Sequence, residues 1–375
     1  MRSVLVRRAA AFAFLIQAGC GRIGFSEHDD ALPTPDPPLR QRLDVDLPDG
    51  FGSLSDFPIL VTLDPTRIDY SRAHPLGDDL WFGDEDGTPF AHEVEAWDPE
   101  GSSYIWVKLP ALDPTSVLWM YYGDESAAPG QDPAAVWTAA YAGVWHLDQD
   151  PFGEAPQVLD SSFPANHGTA LGSMTAANRV SGRMGDGLQF DGADDRIDLG
   201  DRMVDGVAEL TLSAWIEPGT IDTGDPAHGT PGGDAILSKS GGGGDDNLAF
   251  LIGRGSAGRG DLYGYVDSGQ NVEVDTTDRP IAAGSWSHVA VVYAAGRITL
   301  YSNGEPAIAS SGAAAGALVD NPMSLHLGSK TNGQFYDGLV DEVRIATVAR
   351  SDAWIAAQYL SMTDSLLIYG PPEPF

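Results

Sequence analysis

A single cysteine, Cys20, stands in the 375 residues. No intrachain disulfide can form, so stability must come from a packed core or from bound ligands. Basic residues are scarce: 21 Lys and Arg face 54 Asp and Glu, a net charge of −33. So acidic a surface repels phosphate backbones and excludes nucleic acid as a partner, while suiting divalent cations. No apolar run reaches the roughly 18 residues that a membrane-spanning helix needs. The signatures of common catalysts are missing too. There is no Gly-x-Ser-x-Gly elbow and no His-Glu-x-x-His helix, and the glycine-rich stretch 238–247 lacks the Gly-Lys-Ser/Thr ending of a phosphate loop.

What is present begins with Arg2, Arg7 and Arg8, followed by an apolar run from Ala9 to Ile16 and the small residues Ala18 and Gly19 just before Cys20. This order resembles a bacterial lipoprotein signal, which implies that 1–19 is removed and that the Cys20 thiol is acylated. The expected location is the cell envelope, at the outer membrane or cell surface, with membrane contact through the lipid anchor only. Residues 20–39 follow with Pro33, Pro35, Pro37 and Pro38 among acidic neighbours, reading as an extended tether.

Beyond the tether, 45 glycines and 26 prolines punctuate short β-rich runs, which predicts an all-β chain of two antiparallel β-sandwich domains. Residues 40–133 carry PILVTL, FAHEVEAW, SYIWVKL and SVLWMYYG. This stretch resembles an uncharacterised β-rich domain common in bacterial surface proteins, carried by DGTPFAHEVEAWDPEGSSYIWVKLP and WMYYGDESA. Glu93 and Glu95 alternate with Val94 and Ala96, as on a solvated strand face. In 134–375, Leu210, Leu212, Ala214 and Ile216 fall on one strand face and Thr211, Ser213, Trp215 and Glu217 on the other. Ala295-Gly296 and Asn303-Gly304 read as tight turns. RSDAWIAAQYL (350–360) reads as a helix with Ser351 or Asp352 as N-cap. His146, His288 and His326 fall in strand patterns, as core or sheet-face residues.

The order GLQFDG, LSAWI, WSHVA, LYSNG and DEVRI before a short helix resembles the laminin-G-like domains, which have the concanavalin A-like jelly roll. The resemblance implies a lectin-type module whose partner is carbohydrate or glycoprotein. Asp245, Asp246, Asn247, Tyr263, Tyr265 and Tyr336 are the candidate ligand-binding residues, in or near loops that include 222–234 and 238–247. A structural or adhesive spacer is the alternative reading, and a glycan hydrolase the third. No catalytic residue is assigned, because the adjacent Asp341 and Glu342 should point to opposite faces. Leu339, Asp341, Val343 and Ile345 should share one face, and a carboxylate in that apolar row needs a partner. By resemblance that partner is a structural Ca²⁺, with Asp341 as main ligand and Asp160 completing the site.

Overall fold

The structure is a computed structural model. It describes residues 38–375 apart from 49, 125, 139, 164, 202, 222–232, 241–245, 254–259, 277–278, 310–314 and 331–332. Cys20, the tether up to residue 37 and Asp245 lie outside the described residues, as does most of the two loop segments around them in the binding expectation. No described helix is long and apolar enough to cross a membrane.

The expected two sandwiches are present, and 37–375 form one compact unit. In the first, a five-stranded sheet runs Leu367–Pro374, Leu39–Val45, Val117–Tyr122, Trp81–Gly83, Pro89–Phe90. A three-stranded sheet of Leu54–Leu63, Ser103–Leu112 and His92–Ala96 packs against it. The C-terminal strand, Leu367–Pro374, was expected in the jelly roll. It pairs instead with Leu39–Val45, antiparallel, Leu43 opposite Tyr369. The chain thus returns to its starting sheet, and the first sandwich is closed by both ends of the described chain.

The second sandwich is the jelly roll. One sheet has the order Arg179–Ser181, Asp186–Asp191, Asp337–Ala346, Leu210–Pro218, Ser287–Ala294, Arg297–Ser302, Glu305–Ala309, and Tyr141–Trp145 pairs with the far end of Asp337–Ala346. The other runs Asn271–Asp275, Leu262–Asp267, Asp246–Ile252, Asp234–Ser240, Leu325–Leu327, Arg196–Asp198, Thr169–Leu171. Leu210, Leu212, Ala214 and Ile216 point into the core between these sheets, as their alternation predicts, while Trp215 belongs to a separate cluster on the outer side.

That outer side is not solvated. The helix Asp352–Met362 lies over it, capped by Ser351, whose Oγ accepts from Trp354 N. Gln358 Nε2 donates to Ser213 Oγ at 2.9 Å, and Trp215 Nε1 lies 2.9 Å from Met362 Sδ. Across the helix, Trp354 packs edge-on against Phe57 of the first sandwich with centroids 4.9 Å apart. One hydrophobic cluster accordingly contains residues of both sandwiches, from Leu43 and Ile59 to Ala290, Tyr301 and Ile355. The two domains share a core.

Candidate functional site

Strand Asp337–Ala346 departs from the simple alternation read from its sequence. Against Leu210–Pro218 its register shifts: Ser213 opposes Arg344, but Trp215 opposes Asp341, so Glu342 and Val343 together face Ala214. This is a β-bulge, and Glu342 takes a φ of +54°, unusual for a residue with a side chain. On the opposite edge the strand changes partner at the same point, from Asp186–Asp191 up to Val340 to Tyr141–Trp145 from Val343. The bulge resets the faces. Val340, Val343 and Ile345 enter the jelly-roll core, not the row of Leu339, Asp341, Val343 and Ile345 expected from strict alternation. Asp341, Glu342 and Arg344 are left outside that core and fully buried. Asp341 and Glu342 therefore lie close enough to repel one another, where opposite faces were expected.

They are buried because the first sandwich covers them. On its edge strand His92–Ala96, Glu93 and Glu95 do share a face, but that face is enclosed and not solvated: their side chains are 8% and 1% exposed. The sequence reading fails here because the polar face of a strand is covered by another domain. Glu93 Oε2 accepts from Trp137 Nε1 at 2.5 Å and Glu93 Oε1 from Ser161 Oγ at 2.6 Å. Glu95 Oε2 accepts from Trp106 Nε1 at 2.6 Å, while Glu95 Oε1 has no hydrogen-bond partner. Between the two carboxylates sits His146, at the end of strand Tyr141–Trp145. Its Nε2 lies 3.3 Å from Glu93 Oε2, and its Nδ1 lies 3.4 Å from Glu95 Oε2 and 2.5 Å from Glu342 Oε1. Arg344 donates to Glu342 Oε2, and its guanidinium stacks over Trp106 and Trp137 at 4.1 and 4.6 Å.

The charges balance. Burial alone would push His146 down, but Glu342, Glu93 and Glu95 outweigh it and hold the imidazole well above its ordinary value. Burial likewise opposes ionisation of Glu342, yet His146 and Arg344 bring it down to about 2, and His146 with the Ser161 and Trp137 donors lowers Glu93. Glu95 and Asp341 go the other way, pushed well up by burial and by the Glu342 charge. Two cations thus meet the two carboxylates they hold down, Glu93 and Glu342, while Glu95 and Asp341 are the two whose ionisation the site opposes.

The residues expected to bind calcium are placed apart in role. Asp160 Oδ1 accepts from Val144 N and Ser162 N, and its Oδ2 from Asn166 N, so the carboxylate organises its own loop. Asp341 Oδ2 accepts from Arg183 N and Met184 N at 2.8 and 2.9 Å, while Oδ1 has no hydrogen-bond partner. Gly182 permits this approach, since a Cβ there would stand 2.7 Å from Asp341 Oδ2.

Of the expected sugar-binding residues, Tyr336 is a correction. It is 0% exposed inside the jelly-roll core, its ring edge-on to Phe190, so no ligand meets it. Asn247 is also buried, with Nδ2 donating to Val319 O. Tyr263 and Tyr265 share the outer face of the second sheet, with Tyr265 opposite Ala249 and Glu273. Tyr263 is buried and donates to Glu273 Oε2 at 2.8 Å. Tyr265 stays part-exposed, and burial together with Asp267, Asp246 and Glu273 pushes its hydroxyl up to about 12. Asp246 pairs with Lys330 at 2.8 Å.

Comparison with known proteins agrees with this division. Residues 191–356 match the family described as the concanavalin A-like lectin/glucanases superfamily, and 76–150 match a domain of unknown function, DUF2341. The buried cluster joins the two matched segments: Glu93, Glu95 and His146 fall in 76–150, Glu342 and Arg344 in 191–356. Solved structures are similar at low identity. Domain 4 of AbnA, a GH43 extracellular arabinanase from Geobacillus stearothermophilus in complex with arabinotriose, is 20% identical, with 51% of this chain and 86% of that one covered and a TM-score of 0.40. The SAP-like pentraxin from Limulus polyphemus is 18% identical over 41% of this chain and 70% of its own, TM-score 0.33. The botulinum neurotoxin serotype G binding domain is 10% identical over 58% and 50%, TM-score 0.43. No curated protein matches the chain.

Proposed function

We propose that this chain, a concanavalin A-like domain joined to a second β-sandwich, is a lipid-anchored protein of the cell envelope whose jelly roll binds carbohydrate or glycoprotein. The observation that carries the binding reading is the outer face of the second sheet. There the part-exposed Tyr265 ring stands among Asp246, Asp267 and Glu273. Apolar ring faces stack on sugar C–H groups, and carboxylates accept sugar hydroxyls. In this reading the protein is a binder and not a hydrolase, which is supported by the enclosure of the clustered Glu93, Glu95 and Glu342 beneath Trp106 and Trp137. The net charge of −33 keeps nucleic acid out of the reading.

A glycan array with the full chain tests the binding. Binding to a defined glycan class, weakened about tenfold or more by Tyr265→Ala, supports the module, since the substitution removes the ring face that packs on the sugar. Uniform silence favours the spacer, and release of reducing ends from a polysaccharide would revive the hydrolase. The anchor is tested separately: Cys20→Ser should abolish acylation and detergent partitioning. Calcium at Asp341 and Asp160 stands or falls with thermal melts, because equal midpoints in EDTA and in added Ca²⁺ would remove it.

A further inference from the structure

We propose that Glu95, His146 and Glu342 bind one zinc ion, a metal staple between the two sandwiches and separate from the calcium expectation. The three side chains offer ligand atoms within 4.8 Å of one another, Glu95 from strand His92–Ala96, Glu342 from strand Asp337–Ala346 and His146 from the position just after strand Tyr141–Trp145. The imidazole is oriented as in metal centres. Its Nδ1 faces Glu95 and Glu342, while Nε2 faces Glu93, which Trp137 and Ser161 fix in turn. Metal-bound histidines are held in this way, with the second ring nitrogen donating to a carboxylate that fixes the tautomer.

A second observation points to a missing partner. Glu95 Oε1 is unpaired on a side chain that is 1% exposed. Buried oxygens of this kind are nearly always satisfied, and leaving one bare costs about 1–3 kcal/mol. Glu342 is also held on a strained bulge, with φ at +54°, and such strain concentrates at functional positions. Arg344 occupies Glu342 Oε2, which leaves Oε1 turned to the imidazole.

The donor set selects the metal. One imidazole and two carboxylates, with a water enclosed beside the ion as the fourth donor, suit Zn²⁺, whereas Ca²⁺ takes six to eight oxygens. Zinc bonds of about 2.0–2.2 Å at tetrahedral angles set ligand atoms about 3.3 Å apart. The Glu95 carboxylate already comes within 3.4 Å of His146 Nδ1 through Oε2, which Trp106 holds, so that a rotation brings its free Oε1 to the ion, and the 2.5 Å to Glu342 Oε1 opens by less than about 1 Å in the same way. Because the site is enclosed, the ion enters while the domains close on one another.

The test uses the full chain refolded with equimolar Zn²⁺ or Co²⁺ and dialysed. One zinc per chain by mass spectrometry, and a Co²⁺ visible spectrum of the four-coordinate type, are expected. Glu95→Gln and His146→Gln should each retain less than a tenth of the metal, with Asp160→Asn unchanged. Should the variants not fold, the anomalous signal of zinc in wild-type crystals still decides, since it must lie within bonding distance of His146 Nδ1. A wild-type chain that keeps no zinc and shows no shift in melting midpoint with added Zn²⁺ would overturn the site. So would full zinc retention in both ligand variants.

Discussion

The junction between the sandwiches has two ends built on different physics. At the helix end, Phe57, Trp354, Ile355, Ala290 and Tyr301 merge both domains into one apolar cluster. At the strand end, the side chains of Glu93, Glu95, His146, Asp341, Glu342 and Arg344 are enclosed as well, beneath Trp106 and Trp137. The apolar end accepts any arrangement that excludes water, since burial is non-directional. The charged end accepts one, because every unpaired group there is penalised. The helix end supplies adhesion and the strand end supplies register.

That division is easiest to break at Arg344. Arg344→Met removes the guanidinium from Glu342 and leaves a carboxylate buried beside a single cation, a loss of about 3–5 kcal/mol in denaturant melts. Adding Glu342→Gln should return about 1–3 kcal/mol, because the uncompensated charge is gone. At the helix end, Ile355→Ala should cost about 2–5 kcal/mol as a cavity, with no such rescue by a neighbouring substitution. If the Arg344 and Glu342 changes prove additive, the charges at the strand end are not coupled and the contrast fails.

The same residue type sharpens the contrast, because histidines at the two ends titrate in opposite senses. His288, beside Trp215 and Gln358 under the helix, is held down to about 3 by burial and by Arg344, and buried His92 is held down to about 4. Both folded values lie below the free value of about 6.5, so the unfolded chain binds protons first and stability falls as pH drops below 6.5. Each histidine contributes about 1.4 kcal/mol per pH unit, ending near 4 for His92 and near 3 for His288. Glu93 and Glu342 are lowered and lose stability only below about 4.5, outside that window. His146 is raised, so its contribution is whole below 6.5 and is lost as pH rises toward its folded value. His288→Gln should make the slope of stability between pH 6.5 and 4.5 shallower by about 1.4 kcal/mol per unit, the share of one histidine held neutral. An unchanged slope would show that His288 is not held neutral.

The sequence carried the parts of this that depend on local pattern. The alternation in 209–218 places its apolar set in the core, Ser351 caps the helix, and Asn303-Gly304 turns with φ of 51° and 82°. What escaped depends on contacts distant in sequence. Glu93 and Glu95 alternate like surface residues, and only a second domain laid on their strand makes them interior. The bulge at Glu342 has no local marker, since DEVRIA reads as unbroken alternation. The last strand looks like the end of the jelly roll because nothing in SLLIYG names Leu39–Val45 as its partner. The tryptophans were the available signal: Trp106 and Trp137 near Glu93 and Glu95 hint at a covered face.

The smallest expected effect tests how the helix end is fastened beyond its apolar packing. Strand Leu54–Leu63 is the edge of its three-stranded sheet, so every second N–H on its open side lacks a strand partner. Residues from the C-terminal segment fill these places. Ser361 Oγ accepts from Leu60 N at 2.7 Å, and Tyr369 Oη accepts from Thr62 N at 3.0 Å. Ser361 is buried, so water cannot replace its hydroxyl. Ser361→Ala removes one oxygen and leaves the Leu60 N–H bare, an expected loss of about 1–3 kcal/mol. Hydrogen exchange separates this from a general loosening, because the Leu60 amide should lose protection more than its cross-strand neighbour Trp106. Equal loss at both would mean that the edge is held by packing alone, and that the helix end needs no directional bond.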